Sequence, residues 1–234
     1  MSLSSNFPTS KPSLNLDFAN VGALDPRITF TRSSSATYTN SLGLITTAAT
    51  NVARFDYDPV TLAAKGLLVE ESRTNLLTYS EDFSNAAWAK TNSTITANNA
   101  TSPDGAVTAN LISGSGVGQR IVQGITANGT QQTLSFFVKK PSSGVFSGAS
   151  LLFYNNTTAA TIAYATFSGQ TFTANATTGT ATSTSYGNGW YRITLTNSSG
   201  LSVGNSVGCY LYPDDQGGGS SASDTLLAWG AQCE

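Results

Sequence analysis

Histidine is absent from the 234-residue sequence, which removes the commonest catalytic base and metal ligand. Ser-His-Asp and Cys-His nucleophilic sites are therefore excluded, as are metal sites built on imidazole. The two cysteines, Cys209 and Cys233, are too few for a structural zinc site. The glycine-rich stretch 114–118 lacks the lysine and the strand-to-helix setting of a phosphate-binding loop.

Charged side chains are also scarce. They make up 10% of the chain, against roughly 25% in ordinary soluble domains, and the formal net charge is −2. Such a chain has no global field that would attract DNA or an anionic membrane. No apolar run approaches the ~18 residues that cross a bilayer, and the N-terminus lacks an apolar signal core. We expect no nucleic-acid partner, no membrane insertion and no export by a standard signal peptide.

The chain is rich in residues that suit strands and turns. Its 11 Phe, 9 Tyr and 3 Trp can build a core, while Ser, Thr, Asn, Gln and Gly supply the polar surface. Alternating apolar residues between turn signals predict an all-β fold, most simply an antiparallel jelly-roll sandwich. The predicted strands are 14–18, 27–32, 36–39, 44–47, 51–57, 93–97, 106–112, 119–125, 132–139, 150–155, 161–167, 170–173, 190–196, 206–212 and 225–232.

The charges are unevenly distributed along the chain. Residues 1–90 carry 15 charged side chains and residues 91–234 carry 9, which indicates a boundary near 75–90. We predict a short β-rich attachment segment over residues 1–74 and the sandwich over residues 75–234.

The cysteines are expected to remain free thiols, although a disulfide is the alternative. If segments 203–212 and 225–233 form a hairpin, Cys209 faces about residue 228 and Cys233 lies ~17 Å further along. That separation is too large for a bridge, and free thiols fit a reducing compartment.

Paired carboxylates are the remaining way to build an enzyme from this chain, since they can hydrolyse a glycosidic bond. The candidate pairs, Glu70-Glu71, Glu81-Asp82 and Asp214-Asp215, are neighbours in sequence. Neighbours on a strand point to opposite faces, so such pairs do not flank one substrate. We expect no enzymatic activity.

Several motifs follow one another in a specific order. They are Arg73–Leu77 (RTNLL), Tyr79–Phe83 (YSEDF) with Trp88, Pro103–Gly105 (PDG), Leu134–Lys139 (LSFFVK), Gly187–Arg192 (GNGWYR) and Trp229–Gln232 (WGAQ). Together they resemble a module of bacteriophage tail-fibre and head-spike proteins that is similar to carbohydrate-binding-module jelly rolls. The family usually has an aliphatic residue at the position of Cys233 and often carries further chain. The end at Glu234 favours a compact virion component over a long fibre.

The resemblance implies a non-enzymatic structural protein of a phage virion, made in the bacterial host cytoplasm. It would be a capsid decoration, a head spike or a tail-fibre component. Residues 1–74 would attach it to other virion proteins, and a homotrimer is expected by analogy. The alternatives are a dedicated carbohydrate-binding receptor protein and a glycan depolymerase.

The more specific expectation for the sandwich is that it weakly binds a host surface polysaccharide. Sugar rings stack on exposed aromatic side chains while amides and carboxylates hydrogen-bond the hydroxyls. The candidates on or beside the late strands are Tyr154, Asn155, Tyr164, Tyr210, Tyr212 and Asp214. The alternative is that these rings face the core or a neighbouring subunit.

Two further expectations concern a cofactor and the tryptophans. Structural calcium is the one cofactor considered, with Asp104, Asp214 and Asp215 as ligands in oxygen-rich loops, although Pro-Asp-Gly is equally an ordinary turn. Trp190 and Trp229 are expected in the core. Trp88 is expected to form a lid over one end of the sandwich or a subunit contact.

Overall fold

The computed structural model describes residues 14, 16–220 and 222–234. The chain divides into two compact units, the first ending at Glu70 and the second spanning Glu71–Glu234. This division lies four residues before the boundary drawn from the sequence. Within the described residues, no helix is long and apolar enough to cross a membrane.

The described part of the first unit contains one short helix and two β-hairpins. Helix α1 is Phe18–Val21, and the antiparallel pairs are β1 (Ala36–Thr39) with β2 (Ile45–Ala48) and β3 (Phe55–Tyr57) with β4 (Ala64–Leu67). The Asp17 side chain caps α1 by accepting a hydrogen bond from Asn20 N at 3.2 Å. Residues 16 and 17 are therefore not extended, and the predicted strand 14–18 is wrong. Asn15, within that prediction, lies outside the described residues.

Arginine side chains organise the loops of this unit. Arg32 donates hydrogen bonds of 2.6–3.1 Å to four backbone carbonyls, those of Ser34, Ala48, Ala49 and Val52. Because the guanidinium draws this segment to the end of β2, residues 27–32 form no strand, and the prediction there is wrong.

The second unit is a sandwich of two six-stranded antiparallel sheets. Its strands are β5 (Ala89–Thr91), β6 (Ser93–Ala100), β7 (Ala109–Gly114), β8 (Arg120–Thr126), β9 (Thr133–Lys139), β10 (Gly148–Asn155), β11 (Ala160–Ser168), β12 (Thr173–Thr178), β13 (Thr180–Ser185), β14 (Trp190–Thr196), β15 (Ser206–Tyr212) and β16 (Thr225–Cys233). The first sheet has the order β12-β11-β10-β15-β8-β5, and the second β13-β14-β9-β16-β7-β6. The prediction of an all-β antiparallel jelly-roll sandwich is confirmed.

The chain connects the two sheets directly at both of their edges. A single residue, Asn92, separates edge strand β5 of the first sheet from edge strand β6 of the second. At the opposite side, Gly179 alone separates β12 from β13 in the same way. The edges of the sandwich are therefore tied together, which keeps the two inner faces in register around one core.

The core between the sheets is centred on aromatic rings. Trp88 is 1% exposed, and its ring lies 5.1 Å from Phe83 and 6.0 Å from Phe136. The prediction that Trp88 forms a lid or a subunit contact is therefore wrong. Trp190 and Trp229 are buried as expected, but on the outer face of the second sheet. Their indole N–H groups bond Thr101 O and Thr108 Oγ1, so segment 101–108 covers that face.

The cysteines lie on strands of different sheets. β15 pairs with β8 and β10, whereas β16 pairs with β7 and β9, so the predicted hairpin between them is wrong. The chain after β15 crosses to the other sheet. Both thiols are free and fully buried, and they neighbour each other in the core. Burial raises the pKa of the Cys209 thiol well above its usual range, and the Cys233 thiol raises it further.

This burial predicts that the native protein does not react with a thiol reagent at neutral pH, because the thiolate is the nucleophile and neither thiol reaches solvent. Labelling followed by intact-mass measurement should add no reagent to the folded protein and two per chain after unfolding without reductant. Rapid native labelling would contradict the burial, and no labelling after unfolding would show a disulfide instead.

Candidate functional site

The outer face of the first sheet collects four tyrosines from three adjacent strands. Tyr154 lies on β10, Tyr164 on β11, and Tyr210 and Tyr212 on β15. Strand alternation turns these side chains outward and their neighbours, such as Phe153, into the core. We call these four residues the tyrosine face.

The register brings the rings close together. Leu152 lies opposite Tyr164 on one side and opposite Tyr210 on the other. The rings of Tyr210 and Tyr212 stack at 6.1 Å between centroids with an angle of 13° between their planes. A Cβ atom at Gly208 would lie 2.5 Å from Tyr210 Cε2, so the ring rests on the backbone of its own strand. Tyr210 is therefore held between its own strand and the neighbouring Tyr212 ring.

Exposure differs along the tyrosine face. Tyr154, Tyr164 and Tyr210 are half-buried and reach solvent, whereas Tyr212 is 7% exposed. Burial raises the pKa of Tyr164, and it raises the pKa of Tyr212 to about 12, even though the nearby Arg120 guanidinium acts in the opposite direction. Both phenols are therefore neutral at physiological pH and can donate a hydrogen bond.

A charged side chain completes this face. Arg120 begins β8, and its guanidinium carbon lies 5.9 Å from the centre of the Tyr210 ring. This distance is within the range of a cation–π contact. Arg120 is half-buried, and the hydrogen bond that its side chain makes with the described residues is a long one of 3.3 Å to the carbonyl of Gly118.

The loop 213–220 closes one end of the tyrosine face. A Cβ atom at Gly217 would lie 2.5 Å from Tyr164 Oη, and one at Gly218 would lie 2.9 Å from Tyr212 Cδ1. Both glycines also have positive φ angles, 63° and 82°. The loop packs against these two rings because it has no side chains at the contact, and this packing buries Tyr212.

The carboxylate of Asp214 holds the loop 213–220 in place through hydrogen bonds to its backbone. Its Oδ1 accepts hydrogen bonds from the backbone N–H groups of Gln216 and Gly218 at 2.9 and 2.8 Å. Its Oδ2 accepts a 2.9 Å hydrogen bond from Gln119 Nε2, which also donates to Asp224 Oδ2 at 3.2 Å. Asp214 is fully buried, so its carboxylate supports the loop and does not reach the exposed face.

Asn155 is likewise placed away from the tyrosine face. It is fully buried on the side of β10 opposite to Tyr154. Its amide donates to Gly200 O and Asn205 Oδ1 and accepts from Thr157 N at 3.0 Å. Of the six residues proposed from the sequence, the structure thus brings four tyrosines together and assigns the other two to loop anchoring.

Two of the three carboxylates considered for calcium, those of Asp104 and Asp214, accept hydrogen bonds within turns. Asp104 Oδ1 accepts hydrogen bonds from Ser102 Oγ and Ala106 N, as in an ordinary turn, and the Asp214 oxygens accept N–H groups as described. Across the part of the chain that the structure describes, no group of three or more His, Cys, Asp or Glu residues could hold a metal ion. These oxygens therefore do not form a ready set of calcium ligands, and calcium binding stays a prediction.

Arg120, Leu152 and the loop 213–220 were missed by sequence reasoning. The alternation of Arg120 and Val122 along β8 was a usable signal, because it places both on one face. A separate shallow cleft of about 250 Å³, lined by segments 72–74 and 128–131 with Glu234, contains no aromatic side chain. The tyrosine face is thus the stronger candidate for a ligand site.

No protein-family model matches the sequence, and neither does any curated protein sequence. Several solved structures are similar to parts of it at low identity. The enzymatically active domain of tailspike protein 4 from bacteriophage CBA120 is 15% identical with a TM-score of 0.40. That match covers 68% of this chain and 21% of the tailspike chain. This chain thus spans about a fifth of the tailspike's length.

Two carbohydrate-binding modules are similar as well. The CBM22-1 xylan-binding domain of Paenibacillus barcinonensis Xyn10C is 14% identical with a TM-score of 0.45, over 71% of this chain and 97% of that one. The family 11 module of a cellulosomal cellulase from Clostridium thermocellum is 8% identical with a TM-score of 0.34, over 69% and 95%. A phage origin for this chain stays a prediction.

The raised pKa of Tyr212 predicts a pH dependence of stability. An unfolded tyrosine ionises near pH 10, whereas Tyr212 ionises at about 12 when folded. Its contribution is therefore fully present below pH ~10 and is lost as the pH rises towards about 12. The free energy of unfolding from urea titrations should fall more steeply over this range in the wild type than in Tyr212→Phe.

Tyr79→Phe is the matched control for this measurement, because Tyr79 is 56% exposed. The control should follow the wild type. Parallel curves for the wild type and Tyr212→Phe would show that burial of the Tyr212 hydroxyl does not contribute to the alkaline instability.

Proposed function

We propose that this chain is a non-enzymatic structural component of a phage virion whose second unit binds host surface glycans through the tyrosine face. The single observation that carries the glycan-binding part is the clustering of Tyr154, Tyr164, Tyr210 and Tyr212 on one outer sheet face. The virion part is supported by the ordered motifs from Arg73 to Gln232.

The stacked pair is what suits a sugar. A pyranose ring has an apolar face that packs on a flat aromatic surface, with affinity from area burial and polar contacts at its edge. Tyr210 supplies an accessible ring, and Tyr212 holds it at a near-parallel angle. Tyr154 and Tyr164 extend the surface across neighbouring strands, so the face suits several consecutive sugars of a polysaccharide.

Attachment and assembly are assigned to the N-terminal segment. Residues 1–74 would bind other virion proteins, and the chain would form a homotrimer. Many copies of the protein on one particle would contact repeated sites along one polysaccharide. Weak single contacts would then add up to useful avidity. Light scattering on the full chain should give three times the monomer mass, and a monomer at micromolar concentration would contradict the trimer.

The proposal of a non-enzymatic role is supported by the state of the carboxylates near the face. Asp214 is fully buried and accepts three N–H groups, so it is not available as a general acid or as a nucleophile. A dedicated receptor-binding protein remains the second candidate. It is favoured by the three tyrosines that reach solvent, and it differs in requiring tight binding by a single chain.

Truncation of the central ring tests the site. Tyr210→Ala removes the accessible member of the stacked pair and should weaken binding of a host polysaccharide by about tenfold. The measurement is a titration of the full-length protein against a panel of host polysaccharides and oligosaccharides, followed by calorimetry.

Tyr79→Ala serves as the control, because it removes an exposed tyrosine from outside the face. Equal losses in both variants would place the binding elsewhere. Failure of the folded wild type to bind any glycan would remove the binding role and leave the structural one.

A further inference from the structure

Arg120 lies on the tyrosine face without an acidic partner. Within the part of the chain that the structure describes, no carboxylate forms an ion pair with it. Its Nε is buried and has no hydrogen-bond partner, and its remaining hydrogen bond is the 3.3 Å contact with Gly118 O. Only the Nη groups of this guanidinium can meet a ligand, and they lie near the half-buried Tyr210 ring.

The other described arginines make shorter hydrogen bonds or ion pairs, although the Nε atoms of Arg54 and Arg192 are also buried without a partner. Their partners are Asp25 for Arg27, four carbonyls for Arg32, Glu70 for Arg54, Glu71 for Arg73, and Gln232 with Ser135 for Arg192. The shortest of these contacts lie between 2.6 and 2.9 Å. Among the described arginines, Arg120 differs in that its side-chain hydrogen bond is a single long one of 3.3 Å.

Two aspartates lie near the tyrosine face, and neither forms an ion pair with Arg120 among the described residues. Asp214 is buried and accepts three N–H groups, and its negative charge contributes to raising the pKa of both Tyr164 and Tyr212. Asp215 raises the pKa of Tyr164, so it lies towards the loop end of the face. The exposed part of the face next to Tyr210 therefore carries one cation.

We infer that the ligand of the tyrosine face is an acidic polysaccharide, whose ring carboxylate binds the Arg120 guanidinium while the same sugar stacks on Tyr210. This inference rests on the proposed function. In a uronic acid the carboxylate is bonded directly to the pyranose ring, so one sugar can meet a ring and a guanidinium 5.9 Å apart. The planar fork of arginine matches a carboxylate in two parallel hydrogen bonds.

The global charge of the protein does not produce this preference. The formal net charge is −2, which gives no general attraction for a polyanion. Selectivity for an acidic glycan must therefore come from a local contact, and removal of that contact should abolish it.

The experiment compares acidic polymers with their own neutral forms. The probes are polygalacturonate, alginate and hyaluronate, each alongside a counterpart in which the carboxyl groups have been chemically reduced to alcohols. The full-length protein should bind at least one acidic form about ten- to a hundredfold more tightly than its reduced form, as expected for hydrogen bonds to a charged group. Binding of the acidic form should weaken as salt is added.

Variants assign the preference to one residue. Arg120→Gln should lower affinity for the acidic form to that of the reduced form, while Arg120→Lys keeps the charge and should retain part of the difference. Arg192→Gln is the matched control, because Arg192 also lies over an aromatic ring, that of Phe137 at 5.8 Å, but on the opposite sheet. It should bind like the wild type.

The outcomes separate this inference from the proposed function. Equal binding of acidic and reduced polymers, lost in Tyr210→Ala, would overturn the acidic preference and keep the glycan site. A preference that also disappears in Arg192→Gln would show general electrostatics and overturn the role of Arg120. If no acidic or reduced polymer binds, and the host-polysaccharide panel also fails, both proposals fall.

Discussion

One buried amide holds together the end of the sandwich on which the candidate site depends. Gln119 Nε2 donates to Asp214, which follows β15 of the first sheet, and to Asp224, which precedes β16 of the second. Burying a carboxylate without hydrogen bonds costs free energy of folding. These hydrogen bonds therefore fix where the chain leaves one sheet and enters the other. Ser147 Oγ donates to the remaining Asp224 oxygen at 3.0 Å, while the Oε1 of Gln119 is buried without a partner.

The consequences of that network reach both sides of the first sheet. On the outer side, Asp214 positions Gly217 and Gly218 against the rings of Tyr164 and Tyr212, which closes the tyrosine face at one end. On the inner side, the crossover sends β16 into the second sheet, so Cys233 faces Cys209 across the core. The same few hydrogen bonds therefore bound the tyrosine face at one end and lie where the chain passes from β15 in one sheet to β16 in the other.

The fold class followed from the sequence because strand signals are local. Alternation over 132–139 needs only neighbouring residues to be recognised, and β9 is found at Thr133–Lys139. Strand partners are not local, so the hairpin assumed between 203–212 and 225–233 was wrong. The loop between those strands gives no sign that its aspartates bind Gln119, about a hundred residues away in the chain.

The tyrosines of the candidate site were predictable because the signals of their strands are local. Tyrosines near the ends of adjacent late strands were identifiable as a group, but which face each occupies depends on register and bulges. The β10–β11 pairing contains a bulge between Phe153 and Tyr154, which changes which residues of the two strands face each other. Asn155 lies on the buried side of β10. Arg120 comes from a strand that is distant in sequence and adjacent to β15 only in the folded sheet.

The energetics of Arg120 argue for a role outside folding. A half-buried guanidinium loses part of its hydration, and its one 3.3 Å hydrogen bond returns little of that cost. A cation–π contact such as the one with Tyr210 contributes about 0.5–1 kcal/mol at an exposed site. A neutral side chain packed on the ring would contribute nearly as much. A bound carboxylate would instead satisfy the vacant donors and add charge-assisted hydrogen bonds. The position of Arg120 thus fits the proposed carboxylate contact better than a contribution to the stability of the sandwich.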